Sequence, residues 1–344
     1  MTLEIFWFIV IAILWTGFFV LEGFDLGVGA LHKWVGRDDV ERRVAINAIG
    51  PLWDGNEVWL IVGGAGIFAA FPSWYATWFS AGYLALLLLL VALIIRGVSF
   101  EWRSKVDSHG WRGTWSWTLT VGSILIPVLT GVALGDLLVG LPIGADEEFT
   151  GNFFDLLTPY GLLLGVTMLV LCLLHGSTFL GLKTEGAVRE RSKSLAGRLA
   201  WPAAVLVLGY AVWTVSISEG GLWRILAVVV PVVAAVVAAL LIRAGHEGGS
   251  FAATAVTIGG SIAALFANLY PNVMVSSTDP AYNLTVVSTA SGPYALKVMT
   301  IVALVLFPVV LIYQGWTYWV FRARVTAPAE GTAAAKVDQE PISG

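Results

Sequence analysis

The hydrophobic positions of this chain fall in long unbroken runs rather than in alternation. Apolar stretches of about 20 residues, the length a helix needs to cross a hydrocarbon core, recur along nearly the whole sequence. They predict nine helices, at 4–31, 44–70, 74–99, 113–140, 155–182, 199–217, 222–242, 251–271 and 293–321. A membrane β-barrel would instead alternate polar and apolar residues in short segments, and a soluble body with one anchor would show a single run. The pattern therefore predicts an all-α polytopic membrane protein. The first run is too long for a signal peptide, starts beside Glu4 and lacks a small-residue cleavage site, so it is read as a mature helix. Residues 1–325 form one transmembrane domain in this reading, and 326–344, small, polar and Pro-containing, a disordered cytoplasmic tail.

Composition agrees with the pattern. Of 344 residues 58% are hydrophobic and only 12% charged, against about 25% charged in soluble domains, and the mean hydropathy is +0.83. Cys172 is the only cysteine, which excludes an intramolecular disulfide. There is no phosphate-binding loop, Walker motif or Cys/His metal cluster, and the basic loops read as topology signals, so nucleic acid is not a partner. With the amino terminus outside, seventeen of the 19 Lys and Arg fall on inner loops or the tail, leaving Arg224 and Lys297 outside. By the positive-inside rule the carboxyl end is then cytoplasmic.

Against this background, charges within the spans stand out, because each costs roughly 2.5–3.5 kcal/mol at a membrane centre. Glu22 and Asp25 lie three apart on one face of the first helix, and Asp54 and Glu57 do the same on the second. The hairpin between these helices brings the two pairs toward one end. Carboxylates in a dry setting can hold or release a proton near neutral pH, which makes the set a candidate proton relay. The plainer alternative is that Asp54 caps or kinks a helix start after Pro51 and Asp25 sits at the membrane surface. Arg96, at the inner end of its helix, can simply snorkel, and the many tryptophans (among them Trp7, Trp34, Trp74 and Trp102) are expected to form an interfacial belt. His175 is the one histidine clearly inside a span; it is either a weak candidate for a haem iron or a structural group bonded to a neighbouring helix. The stretches 150–165 and 268–300 look specific enough to dock on something, a partner subunit or a substrate.

Several stretches carry a resemblance. "GFDLGVG" (23–29), "ERRVAINAIGPLWDGNEVWLI" (41–61), "RGVSFEWRSK" (96–105), "TGNFFDLLTPYGLLLG" (150–165) and the "VMVSST…LKVMT" region resemble subunit II of the cytochrome bd quinol oxidases, in order over nearly the whole chain. That resemblance implies nine transmembrane helices arranged as two four-helix bundles plus one peripheral helix. It implies a bacterial plasma-membrane heterodimer with a larger haem-bearing subunit I, with room for a small accessory subunit and for bound lipid. Such a complex oxidises membrane quinol and reduces dioxygen to water in respiratory electron transport. Haem b and haem d would be held by subunit I, and this chain alone would not be catalytic. By the same resemblance Asp25 and Asp54 line a cytoplasmic proton route, Glu101 sits where an entrance belongs, and Trp53 is a contact for a bound quinone or lipid. Two other classes use the same residues: a secondary transporter coupled through the carboxylates, and a self-sufficient haem enzyme built on His175.

Overall fold

A computed structural model of the chain describes residues 1–218 and 220–326. The expected tail, 326–344, falls outside the described residues beyond its first position. The protein is all-α, with eleven helices among the described residues: α1 (Leu3–Val35), α2 (Asp39–Ile49), α3 (Trp53–Ala70), α4 (Pro72–Ala81), α5 (Tyr83–Trp102), α6 (His109–Val139), α7 (Pro159–Lys183), α8 (Gly186–Ile217), α9 (Leu222–Arg243), α10 (Glu247–Leu269) and α11 (Pro293–Val320). Eight of them, all but α2, α3 and α4, are long and apolar enough to cross a membrane.

Two of the expected spans are divided. The helix expected at 44–70 breaks at Gly50–Pro51–Leu52, because a proline ring cannot continue the hydrogen-bonded ladder. It yields α2, capped by the Asp38 side chain on Glu41 N, and α3, whose first turn carries Asp54. The helix expected at 74–99 breaks at Gly82, giving α4 and α5. α8 begins thirteen residues before the expected 199, at Gly186, because its charged first turns find ion-pair partners: Arg191 on Glu41 and Arg189 on Glu247.

α1 is hydrophobic on every side and accordingly central, with Glu22 through His32 buried without interruption. It packs with α3, α5 and α6 as one four-helix bundle and lies against α7 and α10 of a second, made of α7, α8, α9 and α10. α11 is peripheral and buries only Leu296. The bundles meet where α1 and α7 touch backbone to backbone: a Cβ on Gly27 would lie 1.9 Å from the Cys172 carbonyl oxygen, and one on Gly176 2.6 Å from the Gly27 carbonyl carbon. Small residues are what allow such an approach between helices in a membrane.

At the end away from α2, the two specific-looking stretches engage this chain's own loops. Leu141 bridges Ser276, Ser276 Oγ donates to Ile143 O (2.9 Å), and a two-stranded antiparallel ribbon, β1 (Asn272–Met274) with β2 (Leu284–Thr285), folds above α10. The belt expectation is divided as well. Trp34 and Trp102 are exposed, whereas Trp7 and Trp74 are core residues with 6% and 0% of their surface accessible.

Candidate functional site

The charged centre of the first bundle grows from the spacing on α1. Glu22 and Asp25, one turn apart, both face inward and are fully buried. Arg96 comes to them from α5, also fully buried, with Nη1 2.6 Å from Glu22 Oε1 and 3.8 Å from Glu57 Oε1 of α3. It does not snorkel. Its guanidinium lies over the Phe100 and Trp53 rings, at 5.3 and 5.8 Å, and these two rings stack at 4.7 Å and 13°. Gly122 of α6 closes the other side, since a Cβ there would meet Ala92 O at 2.9 Å. A buried ion needs such a partner, because removing one member of a buried pair leaves an uncompensated charge.

Asp25 is held differently. Asn56 Nδ2 of α3 donates to Asp25 Oδ2 (2.6 Å) and to Leu21 O (3.2 Å). Asn56 Oδ1 accepts from Gln314 Nε2 (3.1 Å) and Tyr318 Oη (2.8 Å), both on α11, and Trp59 Nε1 donates to Gln314 Oε1 (3.0 Å). Three carboxyls thus surround one guanidinium and one amide, an arrangement that can take up and give out protons while keeping its ion pair.

The structure brings together only part of the expected set. Asp25 and Glu22 meet Glu57, but Asp54 does not face Asp25. It is exposed in the first turn of α3, where its charge suits the helix amino terminus, and it lines a groove of about 860 Å³ between α1, α3 and α11 with Trp7, Leu14, Phe307 and Gln314. Glu101 is exposed at the end of α5, and Trp53 is half-buried. His175 has both ring nitrogens engaged, Nδ1 with Thr254 Oγ1 (2.7 Å) and Nε2 with Val20 O (3.2 Å), and its ring stacks on Phe251 at 4.4 Å. With neither nitrogen free, the residue does not fit an iron ligand and reads as an inter-helix tie.

Asn56, Gln314 and Tyr318 escaped the sequence reading. Neutral polar residues are unremarkable in composition, though an Asn between two acids in "WDGNEVW" was a signal in plain view. His32, near the end of α1, is fully buried, with Nδ1 2.7 Å from Gly29 O, and Ser123 Oγ lies 2.2 Å from where a Gly29 Cβ would stand.

The family model described as Cytochrome bd terminal oxidase subunit II matches residues 3–321. "Cytochrome bd ubiquinol oxidase subunit 2" of Bacillus subtilis (strain 168) is 43% identical over 324 residues, covering 93% of this chain and 96% of the relative. "Cytochrome bd-I ubiquinol oxidase subunit 2" of Escherichia coli (strain K12) is 36% identical over 365 residues, covering 94% and 95%. A chain in "The structure of bd oxidase from Geobacillus thermodenitrificans" shares the fold, with a TM-score of 0.71 at 18% identity over 93% of this chain and 99% of that one. The buried charge centre and the two-bundle fold therefore belong to a member of the cytochrome bd terminal oxidase subunit II family.

Proposed function

We propose that this chain carries protons from the cytoplasm toward the site of oxygen reduction in its partner, and serves as that partner's scaffold. It is subunit II of a cytochrome bd-type terminal oxidase, a multi-pass membrane complex that contains haem, oxidises quinol and reduces dioxygen. In our reading the b and d haems and the quinol site reside in subunit I, the amino terminus is outside and the carboxyl terminus cytoplasmic. The end of the molecule bearing α2 and the start of α8 then faces the cytoplasm, as its dense Arg and Lys content favours.

The observation that carries the proposal is the burial of Glu22, Asp25 and Arg96 at 0% exposure between the helices of one bundle. Charges are placed so deep only where they are paired and used. Asp25 is the inner proton-holding group. Glu101, exposed at the end of α5, supplies an entrance; Asp54, on the groove wall, supplies an outward-facing station on α3. Trp53 is half-buried, which leaves part of its indole open to a quinone ring or an acyl chain. Since quinol releases protons on one side and oxygen reduction consumes them from the other, a one-sided route builds a charge difference without a pump stroke. In the assembled oxidase, Asp25→Asn is expected to lower quinol oxidase turnover by roughly tenfold or more, with Asp54→Asn milder; full turnover in both variants at unchanged haem content would remove the route.

A further inference from the structure

We propose that Asn56 determines how Asp25 holds its proton, and that Gln314 and Tyr318 of the peripheral helix α11 act together with Leu21 O of α1 to hold the Asn56 amide in the one orientation that does so. This rests on the proton-route reading and deepens it.

The inference follows from which groups can only donate and which can only accept. An indole N–H donates and never accepts. Trp59 Nε1 lies 3.0 Å from Gln314 Oε1, so the Gln314 carbonyl must face Trp59 and its NH2 must face Asn56, where Nε2 lies 3.1 Å from Oδ1. A backbone carbonyl accepts and never donates, and Leu21 O lies 3.2 Å from Asn56 Nδ2. The two ends of the chain of bonds therefore demand the same orientation of the Asn56 amide independently. With the Tyr318 hydroxyl donating at 2.8 Å, both lone pairs of Oδ1 and both hydrogens of Nδ2 are used. A flipped amide would set a carbonyl oxygen against Leu21 O and an NH2 against the Gln314 NH2.

Asp25 Oδ2, 2.6 Å from Nδ2, is consequently an acceptor for as long as this chain is intact. A proton on Oδ2 would collide with the Asn56 N–H. The proton that Asp25 takes up or gives out sits on Oδ1, which is buried and receives no N–H donor among the described residues, leaving the neighbouring Glu22 carboxyl as the group that can share it. Control reaches outward because α11 buries only Leu296 and is tied to the bundle by a few polar contacts, Trp7 Nε1 to Thr300 Oγ1 (3.0 Å) among them. Gln314 and Tyr318 thus couple the seating of an otherwise exposed helix to one oxygen of a buried acid.

The test uses the intact oxidase, with the infrared carboxyl band of Asp25 identified by its disappearance in Asp25→Asn. Gln314→Met keeps the length and removes the amide; Asn56→Leu removes the donor itself. In both, the Asp25 band is expected to move to higher wavenumber, as a carbonyl that has lost its hydrogen bond does. Turnover at equal haem content is expected to fall roughly tenfold in Asn56→Leu, the size of one lost hydrogen bond to a charged group, and severalfold in Gln314→Met. Trp59→Phe, which deletes the donor that orients Gln314 and leaves Leu21 O in place, gives a smaller shift in the same sense and carries the test if either variant fails to assemble. A band unmoved in Gln314→Met or Trp59→Phe overturns control from α11. If no band is lost in Asp25→Asn, Asp25 never carries the proton and the proposal falls. Full turnover in Asp25→Asn with shifted bands in the other variants would instead remove the proton route and leave the positioning intact.

Discussion

The two four-helix bundles differ in the charge they bury. In the second bundle, hydroxyls turn back onto their own helices, Ser192 to Val188 O and Ser261 to Thr257 O, both at 2.8 Å. Tyr160 meets Thr214 (2.8 Å), Tyr210 donates to Ser261 O (2.9 Å) and His175 takes Thr254. Every one of these groups is neutral in its role and satisfied where it stands. The first bundle has such hydroxyls too, Ser99 to Ile95 O and Thr130 to Ile126 O, both at 2.6 Å, but beside them it holds a charged cluster: buried Glu22, Asp25 and Arg96 and half-buried Glu57, each with a side-chain atom that has no hydrogen-bond partner among the described residues. Arg224, at the start of α9, is the buried charge of the second bundle; its Nη2 donates to Tyr270 O at 2.6 Å, while its Nε has no partner among the described residues, and no acid among them stands beside it as Glu22 stands beside Arg96. A hydroxyl returning to the carbonyl four residues back holds a bundle together and asks nothing of its neighbours. An acid cluster around one guanidinium is a costly interior that packing alone does not explain.

The contrast breaks hardest at Arg96. Arg96→Leu strands Glu22 and Glu57, both facing a cation that is gone, at a cost of about 3–5 kcal/mol. The expected outcome is a complex that assembles poorly and loses its thermal midpoint. A second-bundle group of equal burial should not do this. Next comes the seam between the bundles: Gly27→Val pushes a branched side chain into the Cys172 carbonyl, 1.9 Å from the Cβ position, and overpacking of that kind costs about 1–3 kcal/mol or more. Its effect should appear as lowered thermal stability, with the spectrum of the assembled fraction unchanged. Thr254→Val then probes the neutral side. It leaves His175 Nδ1 without its partner, a loss of about 1–3 kcal/mol in stability, and turnover per haem is expected to stay at the parent level. A fall in turnover as large as that of Asp25→Asn would erase the distinction between the bundles.

How far the sequence foretold this follows from which signals are local. The spans were legible because twenty apolar residues in a row have one use in lipid. Charge spacing alone picked out Glu22 and Asp25. The break at Pro51 was visible as a proline but not as a change of partners, so Asp54 was set opposite Asp25, where the structure puts Asn56. Gln314 and Tyr318 lie some 260 positions from Asn56, and no periodicity reports a contact at that separation. Arg96 looked like a snorkelling residue because it stands near a helix end; only the tertiary approach of α1 and α3 reveals its acid partners.

The smallest expected effect lies at the polar end, where α2 meets α8 outside the spans. Glu41 accepts from Arg191, with Nη1 2.9 Å from Oε2 and Nη2 on Oε1, and from Arg37 N at 2.7 Å. The Arg191 hydrogen bond is the chief reason its carboxyl is held below the ordinary carboxylate value. A carboxyl whose folded pKa is depressed adds stability that is complete above the unfolded value and disappears as the pH falls through the folded one. Glu41→Gln should therefore lower the thermal midpoint by a constant small amount at neutral pH, about 1 kcal/mol or less for a pair this close to solvent. The difference from the parent should close as the pH drops below about 4.5. Raised salt should shrink it as well, whereas the loss in Arg96→Leu, buried out of reach of ions, should hold its size. If salt erased both losses alike, the charges of the first bundle would be surface charges after all, and the contrast with the second would reduce to one of composition.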